Sequence, residues 1–242
     1  MHKIYIVGIG PGSYEQMTIQ AVHTLEQCDT IVGYPVYVDL IKPHFSDKEY
    51  LSTPMTQEME RCKMCFEEAK KGKTVAMVCS GDAGVYGMTG LMHVIGQDYP
   101  GILLEPVCGI TAAVSGAALL GAPLIQDFAV ISLSDLLTPW ETIEKRILAA
   151  AQADMVICLY NPSSRKRHDY LKKACDIILR YASEDTVCGI AENIGREGET
   201  CSLHALKELR ETPASMFTTV FIGNSHTTVI NGKMVTRRGY RL

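Results

Sequence analysis

The chain lacks any apolar run long enough for a membrane span or a signal h-region: MHKIYIVGIGPGS meets glycines directly after Val7. The expected setting is the cytoplasm, without a membrane partner. Positive charge is not in excess either. A formal net charge of −4 argues against a broad phosphate-neutralising surface, so nucleic acid is not an expected partner. The seven histidines are dispersed without metal-ligand spacing, and Cys62-Lys63-Met64-Cys65 is a lone C-x-x-C inside a helical pattern, with no second pair and no histidine nearby. No protein-bound metal is expected. Internal repeats and low-complexity tracts are also lacking.

What is present is the composition of an ordinary soluble globular protein, 47% apolar and 21% charged over 242 residues, enough for one large domain or two small ones. Nine cysteines are scattered, several of them within strand-like runs such as MVCSG and VICLY. Reduced, mostly buried thiols account for them most simply.

Apolar β-rich runs alternate with segments of helical period: KIYIVGIG, EQMTIQAVHTLEQC, DTIVGY, MTQEMERCKMCFEEAKKG, TVAMVCSG and ILLEPVCG. This predicts an α/β fold with a largely parallel sheet, recurring in the second half. There FAVISLS, DMVICLYN, TVCGIAEN and SMFTTVFIGN read as strands, with helices near Pro139 to Ala153, Lys166 to Ala182 and Leu203 to Glu211. Thr138-Pro139-Trp140-Glu141 has the form of a helix start, with Thr138 as cap, Pro139 in the first turn and Glu141 completing a capping box. Gly121-Ala122-Pro123 is the expected joint, giving two α/β domains in tandem, 1–122 and 123–242. Asn231-Gly232 signals a tight hairpin.

Three loops invite a ligand. Gly8-Ile9-Gly10-Pro11-Gly12 follows the first strand, but Ser13 replaces the third glycine of a dinucleotide fingerprint, Pro11 removes a backbone N–H, and no Gly-Lys-Ser/Thr follows. A simple tight turn is the alternative. Ser80-Gly81-Asp82-Ala83-Gly84-Val85-Tyr86-Gly87 leaves the TVAMVC strand where open α/β sheets place their crevice, and its three glycines permit close backbone approach to a ligand. Cys108-Gly109-Ile110-Thr111-Ala112-Ala113-Val114-Ser115-Gly116-Ala117-Ala118 enters a helix of small residues; for Ala117 and Ala118 tight helix packing is the preferred reading.

Together, the spaced GxGPG, GD-x-G-x-Y-G and GITAA-x-S-G-A segments resemble the tetrapyrrole methylases over essentially the whole chain. Ile131-Ser132-Leu133-Ser134-Asp135-Leu136-Leu137-Thr138-Pro139-Trp140 and Leu159-Tyr160-Asn161-Pro162-Ser163-Ser164-Arg165 look like the subgroup acting on precorrin-3B or cobalt-factor III at C-17 with ring contraction. The resemblance implies the class III methyltransferase fold, two α/β domains forming a cleft that holds folded S-adenosylmethionine, with S-adenosylhomocysteine as product and a tetrapyrrole trough on the N-terminal side. It implies a homodimer. By position it assigns cofactor contacts to Pro11, Gly81, Asp82, Val85, Tyr86, Thr111, Ala112, Tyr160, Asn161, Asn193, Ile194, Thr218 and Thr219. Related methylases acting on sirohydrochlorin precursors carry an aspartate roughly where this chain has Pro35, so their catalytic scheme does not transfer.

Carbon methylation and ring contraction require a proton to be handled, and Ser132, Ser134 and Asp135 are the catalytic candidates. The alternative is that Asp135 and Thr138 only organise the turn before a helix. Arg165, Lys166, Arg167 and His168, together with Arg196, Arg237 and Arg238, are candidate partners for tetrapyrrole carboxylates; solvated helix ends or tails are the alternative for each. Rival functions are methylation at another corrin position or on another acceptor by a cousin such as the diphthamide-pathway methylase, a non-catalytic tetrapyrrole or nucleotide carrier, and a nicotinamide-dependent dehydrogenase, which the missing third glycine disfavours. Whether the substrate carries cobalt is open at this level.

Overall fold

The structure, a computed structural model, describes residues 2–164 and 168–240. The chain forms two compact units, Met1–Thr111 and Ala112–Leu242.

The first unit runs β1 (His2–Gly8), α1 (Ile19–Gln27), β2 (Thr30–Gly33), α2 (Pro35–Ile41), β3 (Glu49–Ser52), α3 (Glu58–Lys70), β4 (Val75–Cys79), α4 (Thr89–Gly96) and β5 (Ile102–Val107). The sheet order is β3-β2-β4-β1-β5, with every pairing parallel, as the alternating runs predicted. Strand β4 explains the arrangement: all five of its residues are buried. Val75, Met77 and Cys79 face a core shared with Cys62, Cys65, Phe66 and Ala69 of α3, while Ala76 and Val78 face Ala21 and Leu25 of α1 and Val38 of α2. Burying Phe66 completely is worth about 2–3 kcal/mol. Local chemistry sets the helix starts: the Thr18 hydroxyl accepts the Ala21 N–H at 3.1 Å, and Pro35 occupies the first turn of α2.

The second unit contains α5 (Ala112–Leu120), β6 (Gly121–Ala122), β7 (Phe128–Ser132), α6 (Trp140–Gln152), β8 (Val156–Tyr160), α7 (Tyr170–Ile178), β9 (Val187–Glu192), β10 (Thr200–Ala205), α8 (Leu206–Leu209), β11 (Thr218–Ile222), β12 (Thr227–Ile230) and β13 (Lys233–Thr236). Its main sheet is ordered β10-β9-β11-β8-β7 and is mixed: β11 runs antiparallel to both neighbours, and β10 is antiparallel to β9. The expected largely parallel second sheet is thus corrected.

The joint also falls about ten residues earlier than the expected 122/123 boundary, because α5 packs on this sheet. A Cβ on Gly116 would lie 2.9 Å from Phe221 Cζ and 3.1 Å from Ile194 Cδ1. In the same helix Ala117 is buried, as tight packing requires, but Ala118 is exposed. Helix α6 begins at Trp140 with Pro139 at the cap position and no side-chain cap, so Thr138 does not cap it. The segment expected to be helical from Leu203 instead pairs with β9 as far as Ala205. The hairpin is as expected, with Asn231 (φ 49°) and Gly232 (φ 73°) turning β12 into β13. Among the described residues no helix is long and apolar enough to cross a membrane.

Candidate active site

In the first unit the loops after β1, β4 and β5 interlock at the carboxyl end of the sheet. Strands β1 and β4 are neighbours, and the connection after each runs past the other strand, toward β2 and β5 respectively, so the loops that follow them meet. Gly10 and Gly81 exchange backbone hydrogen bonds of 3.0 and 2.7 Å, which joins the Pro11 loop to the Asp82 loop. Gly109 lies closer still: a Cβ there would sit 2.1 Å from the Gly81 carbonyl oxygen and 2.6 Å from Gly8 C. Only glycine fits.

Asp82 clamps this knot. Its Oδ1 accepts the N–H groups of Gly84 at 2.8 Å and Val85 at 3.1 Å, and its Oδ2 accepts that of Gly109 at 2.9 Å. Tyr86 follows in the left-handed region (φ 55°), and a Cβ on Gly87 would lie 2.3 Å from the Ala83 carbonyl oxygen. Such backbone strain is held where surrounding structure over-determines it, commonly at ligand sites.

A cavity of about 170 Å³ opens beside this loop, lined by residues that include Tyr34, Tyr37, Met55, Glu58, Arg61 and Tyr86. The Tyr34 and Tyr37 rings meet edge to face at 5.3 Å. Arg61 was not singled out by the sequence reading. The available signal was a cation on the stripe Arg61, Cys62, Cys65, Phe66, Ala69 that α3 buries.

In the second unit the assigned residues gather at one end of the mixed sheet, where β7, β8 and β9 finish and β11 begins; the register sets Ser132 opposite Tyr160 and Thr218 opposite Glu192. The Tyr160 hydroxyl accepts the Ala113 N–H at 2.6 Å, in the first turn of α5, which starts at Ala112. Asn161 (φ 53°) donates from Nδ2 to Ser132 Oγ at 2.9 Å, and the Ser134 N–H also reaches that oxygen at 3.2 Å. Asn193 (φ 50°) donates from Nδ2 to the Gly198 carbonyl at 3.3 Å. Ile194, Thr218 and Thr219 are buried, and the Thr218 hydroxyl donates to Glu192 Oε1 at 2.6 Å.

Asp135 Oδ2 accepts the Tyr170 hydroxyl at 2.7 Å, and the Tyr170 ring packs on Trp140 at 4.5 Å. Arg196 lies over the Phe217 ring at 4.9 Å; Arg165, Lys166 and Arg167 fall outside the described residues. Cys62 and Cys65 are core thiols of α3, and burial pushes the Cys62 pKa up to about 12.

Comparison with known proteins identifies the fold. The sequence model of the Tetrapyrrole (Corrin/Porphyrin) Methylases matches residues 3–210. The chain belongs to the tetrapyrrole methylase family. It is 44% identical over 238 residues, 98% of this chain and 99% of the relative, to the probable cobalt-factor III C(17)-methyltransferase of Salmonella typhimurium. The crystal structure of the methyltransferase CobJ superposes with a TM-score of 0.91 at 30% identity, covering 98% of this chain and 100% of that one. The Thermus thermophilus uroporphyrin-III C-methyl transferase complexed with S-adenosyl homocysteine shares the fold at a TM-score of 0.72 and 19% identity, with coverage of 91% and 97%. In this methylase the loops of the first unit are locked together by Asp82.

Proposed function

We propose that the protein transfers a methyl group from S-adenosylmethionine to C-17 of cobalt-factor III or its metal-free counterpart precorrin-3B, with ring contraction, in cobalamin biosynthesis. The observation that carries this reading is the interlocked glycine knot at Gly8, Gly81 and Gly109 with its Asp82 clamp, in a chain with a near-full-length relative named for that reaction.

The residues suit such a cofactor. Its amino-acid end, ribose and adenine edge are satisfied by main-chain and small polar groups, and the knot brings three stretches of main chain together where no Cβ intervenes. Pro11, Gly81, Asp82, Val85, Tyr86 and Thr111 of the first unit, and Ala112, Tyr160, Asn161, Asn193, Ile194, Thr218 and Thr219 of the second, are the assigned contacts. Asp82 and Tyr160 serve by fixing backbone, at Gly109 and Ala113 respectively. When bound, the sulfonium supplies an activated methyl group. The chain's own task is to hold the acceptor carbon in line with it, a positional effect worth several kcal/mol.

Ser132 and Ser134, gathered with Asn161, are placed to grip or relay a proton; Asp135 acts through Tyr170. Cobalt, where present, travels with the substrate, and no resident metal is needed. The working form is a cytoplasmic homodimer. The test is anaerobic incubation with S-adenosylmethionine and, in parallel, cobalt-factor III and precorrin-3B. One added methyl at C-17 on a contracted ring, read by mass spectrometry and NMR, is expected; protein that binds S-adenosylmethionine yet modifies neither would refute the assignment.

A further inference from the structure

Arg61 is the anomaly of the first unit. It is 5% exposed, yet among the described residues no carboxylate lies within ion-pair distance of its guanidinium. Its hydrogen bonds go to neutral acceptors, Nη2 donating to the carbonyls of Thr53 at 3.3 Å and Pro54 at 3.0 Å. Nε is buried with no partner at all. The Tyr34 ring lies 5.7 Å from the guanidinium carbon, a weak contact. Glu58, the one carboxylate lining the same cavity, accepts the Thr56 N–H at 3.3 Å instead.

A buried charge without a counterion is costly, and a buried donor left unmade costs more than its bond would gain. An arginine in this state at a cavity wall is half of a charge pair whose other half arrives from outside. Its planar fork suits a carboxylate. The cavity is too small for a macrocycle, and its lining includes Tyr34, Tyr37, Tyr86 and Met88.

We propose that this cavity is a carboxylate socket in which Arg61 takes one acetate or propionate arm of the tetrapyrrole, fixing which edge of the ring is presented. This rests on the methyltransferase reading given above. Arg61 is a substrate-positioning residue here; it has no part in the methyl transfer itself.

The test measures binding of cobalt-factor III and of its fully methyl-esterified form, anaerobically and with S-adenosylhomocysteine present, to the wild type, Arg61→Met and Met55→Glu. Loss of one charge-assisted, partly desolvated contact predicts a Kd for the acid about 10- to 100-fold higher in Arg61→Met. The ester, which cannot form the pair, binds wild type and variant alike, and the S-adenosylhomocysteine Kd stays within about twofold. Met55 lies at the exposed rim, so Met55→Glu leaves the fold intact if Arg61→Met does not, and a carboxylate there competes for Arg61 and raises the acid's Kd in the same way. Equal acid binding by wild type and both variants overturns the socket while leaving the methyltransferase assignment standing. Equal loss of acid and ester binding would show Arg61 to be structural and overturns it too. Absence of any tetrapyrrole binding by the wild type strikes instead at the assignment.

Discussion

Asp82→Asn isolates the clamp of the glycine knot. The asparagine can turn its amide nitrogen toward Gly109 and lose one bond, or toward Gly84 and Val85 and lose two. The first is cheaper. It sets two N–H donors against each other across the contact between the second and third loops. A hydrogen bond to a charged acceptor is worth about 1.5–3 kcal/mol, and the half-exposed side chain reduces that to about 1–2. Exchanging a charged for a neutral acceptor weakens each of the two remaining bonds by about 0.5 kcal/mol, for a total near 2–3. For a chain of this length such a loss lowers the melting temperature by about 4–12 °C. The second readout is S-adenosylhomocysteine titration: if about half the loss falls on ordering the Gly109 to Ala112 segment, affinity drops about tenfold. A variant that melts within about 1 °C of the wild type and keeps its affinity within about twofold would refute the clamp.

Gly109→Ala should fail to fold or lose well over about 3 kcal/mol, since its Cβ meets backbone at 2.1 Å, whereas Gly90→Ala, with nothing within 4 Å in α4, should gain about 0.5–1 kcal/mol in urea denaturation. Thiol-reactive dye at pH 8 should label exposed Cys108 and Cys201 within minutes and spare the seven buried cysteines until unfolding, because burial raises thiols such as Cys158 and Cys175 to about 12. The Glu68 carboxyl is held below its usual range by Lys71 and then Lys73, so its contribution to stability is present above the ordinary carboxylate pKa and lost as pH falls through its folded value. Glu68→Gln should therefore flatten the loss of urea stability between pH 6 and 3; an unchanged slope would count against the network. Tyr170→Phe removes the 2.7 Å bond to Asp135. If Asp135 only organises its turn, the melting temperature falls and the pH profile of kcat keeps its shape; a displaced profile would return Asp135 to proton handling.

The first unit was legible because its strands are buried on both faces: IYIVG and VAMVC leave no reading but inner parallel strands. Edge strands carried no such signal. Strand β3 is EYLS with no buried residue, and Leu203 to Ala205, the partly buried second half of β10, runs directly into α8, so hairpin pairing with β9 claimed residues whose spacing looked helical. Strand direction was equally hidden. TTVFI is buried throughout whichever way it runs, and the antiparallel setting of β11 comes from the chain returning along β9 and β8. The joint was misplaced because Gly121 and Pro123 look like a linker, while the small face of α5, which decides the matter, reads the same on either sheet. The candidate ligand loops could be located from glycine spacing, but not the Asp82 partner that lies 27 residues away at Gly109.

Four of the side chains that the resemblance marks hold backbone. Asp82 takes three N–H groups, Tyr160 fixes the start of α5, Asn193 closes on the Gly198 carbonyl, and the Thr218 hydroxyl accepts the Ser215 N–H. Tyr86 holds a left-handed position in the loop after β4, and Asn161 and Asn193 hold left-handed turns directly after β8 and β9. Within each unit the placement of these turns depends on packing and survives wide change in side-chain identity. On the proposed function, groups that hold the frame would serve the shared cofactor, and discrimination between tetrapyrroles would fall to side chains not so engaged; a buried guanidinium without a counterion is the kind of group that would supply it.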